Sequence, residues 1–527
     1  MDNLIHWLEP VAPPATSPTQ EIRIADAASP ALRPAFVTPQ HEALIALKNE
    51  IDTVAPVSTW DDAKKITNPY EYIFLSLQKR MHRSIAAVQP LSRSYFKMIE
   101  LWDTLGLPVD SRPLLTSHSA EGPGGFLEAI QHRAPGSRSI AMTLRSTERS
   151  IPGWRKSQQF LIRHPTVTVT YGADATGNLY HLPNQGAFVL AAHDHLGGRG
   201  ADLYTADGGF DFSTDYNGQE NTVQRLLAAE ALAGLQTLRP GGTMILKVFD
   251  THQVATNELL WTLATCFERT GFTKPHTSRP ANSERYWIGE SLRSDAPRGW
   301  VLALLNILTA TDAPHGWEQI YAISPWSPDW LAGVRAFQEA VEAQQYANIQ
   351  LTLNVIRSPS RAQILDLLQQ NITLSRAWCS RHRIPENRQY AGRTDAQVAA
   401  LNLEEALVPF PTSVARTSSP AVSRPPSMPD GSSAAPPPRP PAAPAWRSAL
   451  PASIRGPAAC QTVSGTPPSS VPPTTPHGSS PRTLPGPAPP APPPSSAGPP
   501  RIGAPPGLTH PSQRAPRASP DAPPTSE

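Results

Sequence analysis

Tyr204-Thr-Ala-Asp207-Gly-Gly-Phe-Asp-Phe-Ser213 reads as an apolar strand that ends on a carboxylate and turns on two glycines. A carboxylate at the carboxyl end of a strand stands where parallel α/β sheets collect their ligands. Outward from this stretch the chain alternates. Upstream, a helix is expected around His41–Ile51 and a second over Ser92–Leu105, where Tyr95, Phe96, Ile99, Leu101 and Trp102 share a face. Pro113–Ser117 is a short strand, and Glu121-Gly122-Pro123-Gly124-Gly125-Phe126 a glycine-rich turn. Phe126–His132 is a helix, Ser139–Leu144 a strand, Trp154–Arg163 a helix, Thr166–Tyr171 a strand, and Asp202–Ala206 the strand of the quoted stretch. Downstream, helix Glu220–Thr237 stops at Arg239-Pro240-Gly241-Gly242. Thr243–Phe249 is a buried strand, Asn257–Arg269 a helix, and Gly271–Lys274, Arg285–Gly289 and Trp300–Leu305 the last strands. The pattern predicts a mainly parallel α/β sheet with helices on both faces and an antiparallel edge.

Composition divides the 527 residues. More than half of the 62 prolines follow Val408, in a stretch with too little apolar material to offset its ordering entropy. The expected organisation is an irregular arm over 1–40, the α/β domain over 41–310, a helical extension over 311–405 and a disordered Pro/Ala/Ser-rich tail over 406–527. Runs such as Pro436-Pro-Pro-Arg-Pro-Pro441 favour polyproline II, the form that SH3- or WW-type partners grip. From Ala406 the tail carries nine Arg, no Lys and three acids, against an overall net charge of +2, so the remainder is slightly acidic. A nucleic-acid groove in the folded part is therefore a local patch. Cys266, Cys379 and Cys460 are far apart, which argues against a disulfide framework or a zinc site. No stretch has the length of a membrane span or the form of a secretory leader, so an intracellular protein of cytoplasm or nucleus is expected.

Four segments each contribute one charged residue: Lys97, Asp207, Lys247 and Glu284. Lys247 lies inside the apolar run Met244–Phe249, where a lysine is rarely buried without partners. The turn 121–126 follows a strand and opens a helix, which suits a nucleotide-type ligand. It lacks G-x-G-x-x-G, and no G-x-x-x-x-G-K-[ST] occurs, so a pyrophosphate cradle and ATP are not expected.

Gly122-Pro-Gly-Gly-Phe126 with Glu128 resembles the S-adenosylmethionine motif of the FtsJ-like (RrmJ-type) ribose 2′-O-methyltransferases, which include eukaryotic and viral mRNA cap enzymes. Further family motifs follow the chain order: Ser92-Arg-Ser-Tyr-Phe-Lys97, Ala206-Asp207-Gly-Gly, Gly241-Gly-Thr-Met-Ile-Leu-Lys-Val-Phe249, and Lys274-Pro-His-Thr-Ser-Arg-Pro-Ala-Asn-Ser-Glu284 in its cap-enzyme form. The resemblance covers residues 90–310. It implies a Rossmann-like S-adenosylmethionine-dependent sheet, a Lys97-Asp207-Lys247-Glu284 tetrad and RNA ribose methylation without a metal. It also implies cofactor contacts from Glu121, Gly122, Pro123, Gly124, Gly125, Phe126, Asp174 and Asp207, with Asp174 on the adenine and Asp207 nearest the methyl. Two departures stand out. His118 lies where the family often has an acid, and the second strand ends on Arg145 without the carboxylate that grips ribose hydroxyls. Glu121 is taken as its substitute.

A ribose hydroxyl is a weak acid, so the tetrad must align it and take its proton. Lys247 is expected to be the base or to stabilise the oxyanion, with its pKa depressed by Lys97; Asp207 and Glu284 orient the lysines. The substrate expected is the capped 5′ end of mRNA, with Tyr95, Trp154, Tyr216 and Trp287 as candidates to stack on the cap base. Three other readings stay open: methylation of rRNA or tRNA, a binding module on the same fold, and a virion protein that carries the enzyme in a host cell.

Overall fold

Alternation along two strands sets the two faces of the sheet. In the computed structural model, Met244, Leu246 and Val248 pack on one side with Tyr204, Ala206 and Trp287. Ile245 packs on the other side with Leu203, Tyr286, Ile288 and the aromatic faces of Phe96 and Phe126. Lys247 has the parity of Ile245, so it emerges on the second side. The structure describes residues 5–25, 37–75, 84–108, 113–148, 151–210 and 218–410. Tyr216 and the Pro-rich tail beyond 410 lie outside them.

The strands are β1 (His6–Trp7), β2 (Gln20–Ile24), β3 (Leu115–Ser119), β4 (Arg138–Met142), β5 (Val167–Thr170), β6 (Ala201–Ala206), β7 (Leu238–Val248), β8 (Phe267–Thr273), β9 (Arg285–Leu292) and β10 (Trp317–Tyr321). The helices are α1 (His41–Ile51), α2 (Val57–Thr67), α3 (Ser94–Thr104), α4 (Gly125–Arg133), α5 (Gln158–Arg163), α6 (Leu182–His195), α7 (Gln219–Thr237), α8 (Val254–Ala264), α9 (Arg298–Ala310), α10 (Pro328–Arg357), α11 (Arg361–Arg381) and α12 (Asp395–Ala406). Among the described residues the main sheet runs β1-β8-β9-β7-β6-β3-β4-β5. Strands β7, β6, β3, β4 and β5 are mutually parallel, while β9 is antiparallel to both β7 and β8. The expected α/β class, with helices on both faces and antiparallel pairing at one side, is what forms.

Several local expectations change. Trp300–Leu305 is not a strand but part of α9, because Val301, Leu304, Leu305 and Leu308 recur at helical spacing on a buried face. Pro240-Gly241-Gly242 does not end structure but lies within β7, whose pairing with β6 shifts register at that point. Phe267–Arg269 belongs to β8 rather than to the preceding helix, and α5 begins at Gln158 rather than Trp154. Helices α2 and α6 were not expected. The arm is not wholly irregular: β1 pairs with β8, and β2 with β10. The helices after residue 328 share apolar clusters with earlier ones, Ile349 and Leu353 of α10 with Leu44, Leu47 and Trp60, and Trp378 of α11 with Phe96.

Candidate active site

Register assembles the site. Ala206 pairs with Leu246, so the next residue, Asp207, leaves β6 beside Lys247. Lys247 is paired across to Tyr286 in β9, and Glu284 lies two residues before Tyr286, just ahead of that strand. Helix α3 crosses this side and supplies Lys97. The Lys97 Nζ lies 2.7 Å from Glu284 Oε1, and the Lys247 Nζ donates to the Asp207 carbonyl at 2.7 Å and lies 3.3 Å from Asp207 Oδ1. The Tyr286 hydroxyl donates to the same Oδ1 at 2.8 Å. The structure thus brings together all four residues singled out in the sequence and adds Tyr286, whose place across from Lys247 is visible only once β9 is aligned with β7.

The charge balance differs from expectation. Burial lowers the Lys247 pKa, but Asp207, then Glu284 and Glu230, outweigh it and hold the ammonium above its usual range. Lys247 is therefore a cation here: the carboxylates, not Lys97, decide its charge. Burial opposes ionisation of Glu284 too, but Lys97 and Lys247 hold its carboxyl down at about 2.

Asp207, Lys247 and Glu284 face one cavity of about 910 Å³, within the size range of small-ligand sites. At one end it is walled by Ala120, Gly122, Thr143, Leu144, Gly153 and Gly177–Tyr180, from the loops after β3, β4 and β5. Its glycines pack directly against neighbouring loops. A Cβ on Gly122 would stand 2.7 Å from the Gly153 oxygen, and one on Gly177, at φ +69°, 2.0 Å from the Thr143 oxygen. The loops meet too closely at these glycines for a side chain, and the space they border, with Leu144, Leu179 and Tyr180 beside it, suits a nucleoside; the residues present fit S-adenosylmethionine. Gly122→Ala should force the turn and the Gly153 loop apart. Overpacking of that kind costs about 1–3 kcal/mol. Calorimetric titration with S-adenosylhomocysteine should show affinity weakened about tenfold or more; unchanged affinity would mean the cofactor space lies elsewhere.

Of the expected cofactor residues, Gly122 and Asp207 border the cavity. Pro123, Gly124, Gly125 and Phe126 form the turn and the start of α4, with Phe126 and Gly125 buried against the core and α3. Asp174 is bound to Thr176 and to His181 at 2.8 Å, which holds it as a turn acid away from the lining. Glu121 does not substitute for the missing ribose carboxylate. It is buried under the turn, accepts from the Thr205 hydroxyl and lies 3.2 Å from His118 Nδ1. Burial pushes its carboxyl well above the usual range, and burial keeps His118 neutral, down to about 3. Among the expected stacking residues Tyr95, Trp154 and Trp287 are buried. The aromatics that border the cavity are Trp60, Tyr180, Phe210 and Phe249, with Trp60 on the side of Lys48, Lys64 and Arg279.

The carboxylates that anchor this end make stability acid-sensitive. Glu71 accepts from Arg279 at 2.8 and 3.0 Å, and Asp250 from Arg285 at 2.9 Å. Against burial, Arg93 and Arg279 hold Glu71 at about 2, and Lys48 and Arg285 hold Asp250 at about 2. Their folded pKa values lie below the unfolded ones, so their contribution is complete above pH about 4.5 and is lost as pH falls toward 2. Buried Glu121 and Glu230, raised by burial, act in the opposite sense, present at low pH and lost as pH rises. Denaturant midpoints should drop steeply between pH 4.5 and 2, and Glu71→Gln should flatten that slope; an unchanged slope would remove Glu71 from the account.

For metals, His41 Nδ1, His252 Nε2 and Glu342 are the one trio among the described residues with ligand atoms within 4.8 Å. Both rings approach the same Glu342 oxygen, at 3.0 and 3.1 Å. Burial lowers the His252 pKa, but Glu342 and the neighbouring acids hold it above its usual range, so the ring donates its Nε2–H to Glu342 and the trio is a hydrogen-bonded clamp joining α1, α10 and the segment after β7.

A parallel sheet with an inserted antiparallel strand, and a cavity over its carboxyl ends, is the Rossmann-like fold that methyltransferases use. Residues 90–292 match the FtsJ-like methyltransferase family, and the chain carries a domain of that family. Its relatives include cap-specific mRNA (nucleoside-2′-O-)-methyltransferase 1 of Drosophila melanogaster, 33% identical over 187 residues, which are 35% of this chain and 23% of that protein. The Homo sapiens protein of that name is 32% identical over 276 residues, 48% of this chain and 31% of the relative. The Dictyostelium discoideum protein is 27% identical over 315 residues, 56% and 40%. The match thus spans less than half of each relative. A ribosomal RNA methyltransferase structure from Plasmodium falciparum aligns with 38% of the chain at 18% identity and a TM-score of 0.27, too low to carry an argument.

Proposed function

We propose that this chain is an S-adenosylmethionine-dependent RNA ribose 2′-O-methyltransferase that acts on the cap-proximal nucleotide of mRNA. The observation that carries the reading is the pairing of Lys97 with Glu284 and of Lys247 with Asp207 beside one cavity. The names of the relatives support the cap as substrate.

S-adenosylmethionine, when bound, supplies a methyl on a sulfonium, whose bond electrons return to sulfur. Ala120, Gly122, Thr143, Leu144 and Gly177–Tyr180 would hold it. The residues then have to align a ribose oxygen and take its proton. Lys247, as the cation that Asp207 and Glu284 maintain, donates to the 2′-oxygen and fixes its attacking lone pair. With Lys247 stabilising the negative charge that builds on the oxygen, the hydroxyl proton leaves early in oxygen–carbon bond formation. It passes to the Asp207 carboxylate, which Tyr286 orients, and from there to solvent. Lys97 holds Glu284, and Glu284 keeps Lys247 in place. At the far end Lys48, Lys64 and Arg279, each with one acidic partner, offer a local basic patch for phosphates beside Trp60.

The test is methyl transfer from radiolabelled S-adenosylmethionine to capped and uncapped short RNA. Transfer to capped RNA alone supports the reading. Transfer to rRNA or tRNA alone would replace the substrate, and cofactor binding with no transfer to any RNA would leave a binding module. The proposal includes work inside the cell; no described helix is long and apolar enough to cross a membrane. It also includes capture of SH3- or WW-type modules by the Pro-rich tail, which a pull-down with and without residues 411–527 tests.

A further inference from the structure

Glu284 is carried by a loop that has no regular structure of its own, between β8 and β9. Thr273 pairs with Tyr286, so Lys274 and Glu284 stand at the two feet of this loop. Its rim, Arg279 and Ala281–Glu284, borders the cavity. The outer part is tied elsewhere. Glu100 of α3 accepts from the His276 N–H at 2.8 Å and from the Thr277 N–H at 3.0 Å, and Glu71 receives Arg279. The inner foot depends on Lys274. Its Nζ donates to the Glu284 carbonyl at 2.7 Å, the Asn282 carbonyl at 2.9 Å and Asn282 Oδ1 at 3.0 Å, with Ser278 Oγ at 3.4 Å. An ammonium has three N–H donors, and here they are met by two carbonyls, an amide oxygen and a hydroxyl. None of these acceptors is a carboxylate. Lys274 is half-buried, and a lysine withdrawn from water normally sits against an acid. This one is spent on the backbone of the residue that holds Lys97.

Resting on the function proposed above, we propose that Lys274 is a positioning residue for that reaction: its ammonium fixes the Glu284 backbone so that the Glu284 carboxylate meets Lys97 and faces Lys247. The side chain is not among those that border the cavity. Its charge state matters because the loop oxygens accept only from a donor. Burial pushes Lys274 down to about 7; Glu284 and Asp250 oppose this, and Arg285 and Lys97 add to it. The groups that face it are thus Glu284, Arg285, Lys97 and Asp250, drawn from β9, α3 and the segment after β7. Deprotonation above neutrality removes one of three donors and the positive charge beside Glu284. Activity should fall on the alkaline side while cofactor affinity does not.

The test compares wild type, Lys274→Met and Lys274→Arg in the full chain. Each is read by the pH profile of kcat on capped RNA, by KM, and by calorimetric titration with S-adenosylhomocysteine. Misplacing a reacting group by about 1 Å costs on the order of 10²-fold, so Lys274→Met should lose about that factor in kcat with KM and S-adenosylhomocysteine affinity nearly unchanged. Lys274→Arg keeps a permanent charge; it should recover part of the rate and move the alkaline limb upward. Full kcat in Lys274→Met, or an identical limb in Lys274→Arg, overturns the proposal. Should Lys274→Met fail to fold, the arginine variant decides alone. A readout free of turnover is the ¹³C titration of the Glu284 carboxyl, assigned by its loss in Glu284→Gln. Its midpoint should lie higher in Lys274→Met than in wild type. No shift refutes the role of Lys274 even with an inactive wild type, whereas an inactive wild type with the shift refutes only the proposed reaction.

Discussion

Lys247→Ala is expected to lower kcat by about 10³-fold, the scale of losing a donor aimed at a developing oxyanion, with S-adenosylhomocysteine affinity unchanged. The separation follows from position. The Lys247 ammonium reaches Asp207 and faces Glu284, while the cofactor space lies at the end of the cavity formed by the loops after β3, β4 and β5. Lys247→Arg should not rescue. The planar guanidinium cannot reproduce a single ammonium's aim. Single-turnover kinetics with saturating cofactor would check this directly. Wild-type chemistry in Lys247→Ala would leave the two ion pairs as structural features of the sheet and remove the basis for the proposed reaction.

The second large effect is on stability. Arg285 is fully buried, with Nη2 on Asp250 Oδ1 at 2.9 Å, Nε on the Ser283 carbonyl at 2.8 Å and Nη1 on Gln338. Arg285→Met keeps most of the volume and removes every one of these bonds. Lys48 at 3.9 Å then remains as the cation near Asp250. Breaking one side of a buried pair costs about 3–5 kcal/mol, because the remaining charge is left uncompensated. Denaturant unfolding should show that loss, and Asp250→Leu added to Arg285→Met should restore only part of it, because Lys48 then lacks its acid. A single-variant cost below about 1 kcal/mol would mean that water or Lys48 satisfies Asp250. Since Arg285 directly follows Glu284, the same variant should also lower kcat, but less than Lys247→Ala.

Much of this site can be read along the chain, for a local reason. Lys247 stands out because its neighbours Met244, Ile245, Leu246 and Val248 are all apolar and buried, and Asp207 because two glycines follow a buried strand. Such signals need only a few adjacent residues. Glu121 was misplaced because its surroundings are supplied by Thr205, 84 residues away, and a carboxyl in a glycine turn looks the same in sequence whether it faces a ligand or the core. Trp300–Leu305 was misread because a short apolar run does not reveal its period; Leu308, one turn further, shows it. Lys274 looked like one more residue of a motif, since its partners are main-chain oxygens that no side-chain pattern reports.

The amino-acid order by itself determined the alternation of strands and helices, the glycine turn and the identity of the four charged residues, because periodicity and turn chemistry act over one or two turns of chain. Only the tertiary structure decided which strands are neighbours, and therefore that Tyr286 comes to Asp207, that Glu284 stands between two lysines and that Lys247 keeps its proton. Those outcomes depend on distances between segments as far apart as 187 residues, as in the Lys97–Glu284 pair, and on the exclusion of water around them, which sets how strongly each charge acts on the next.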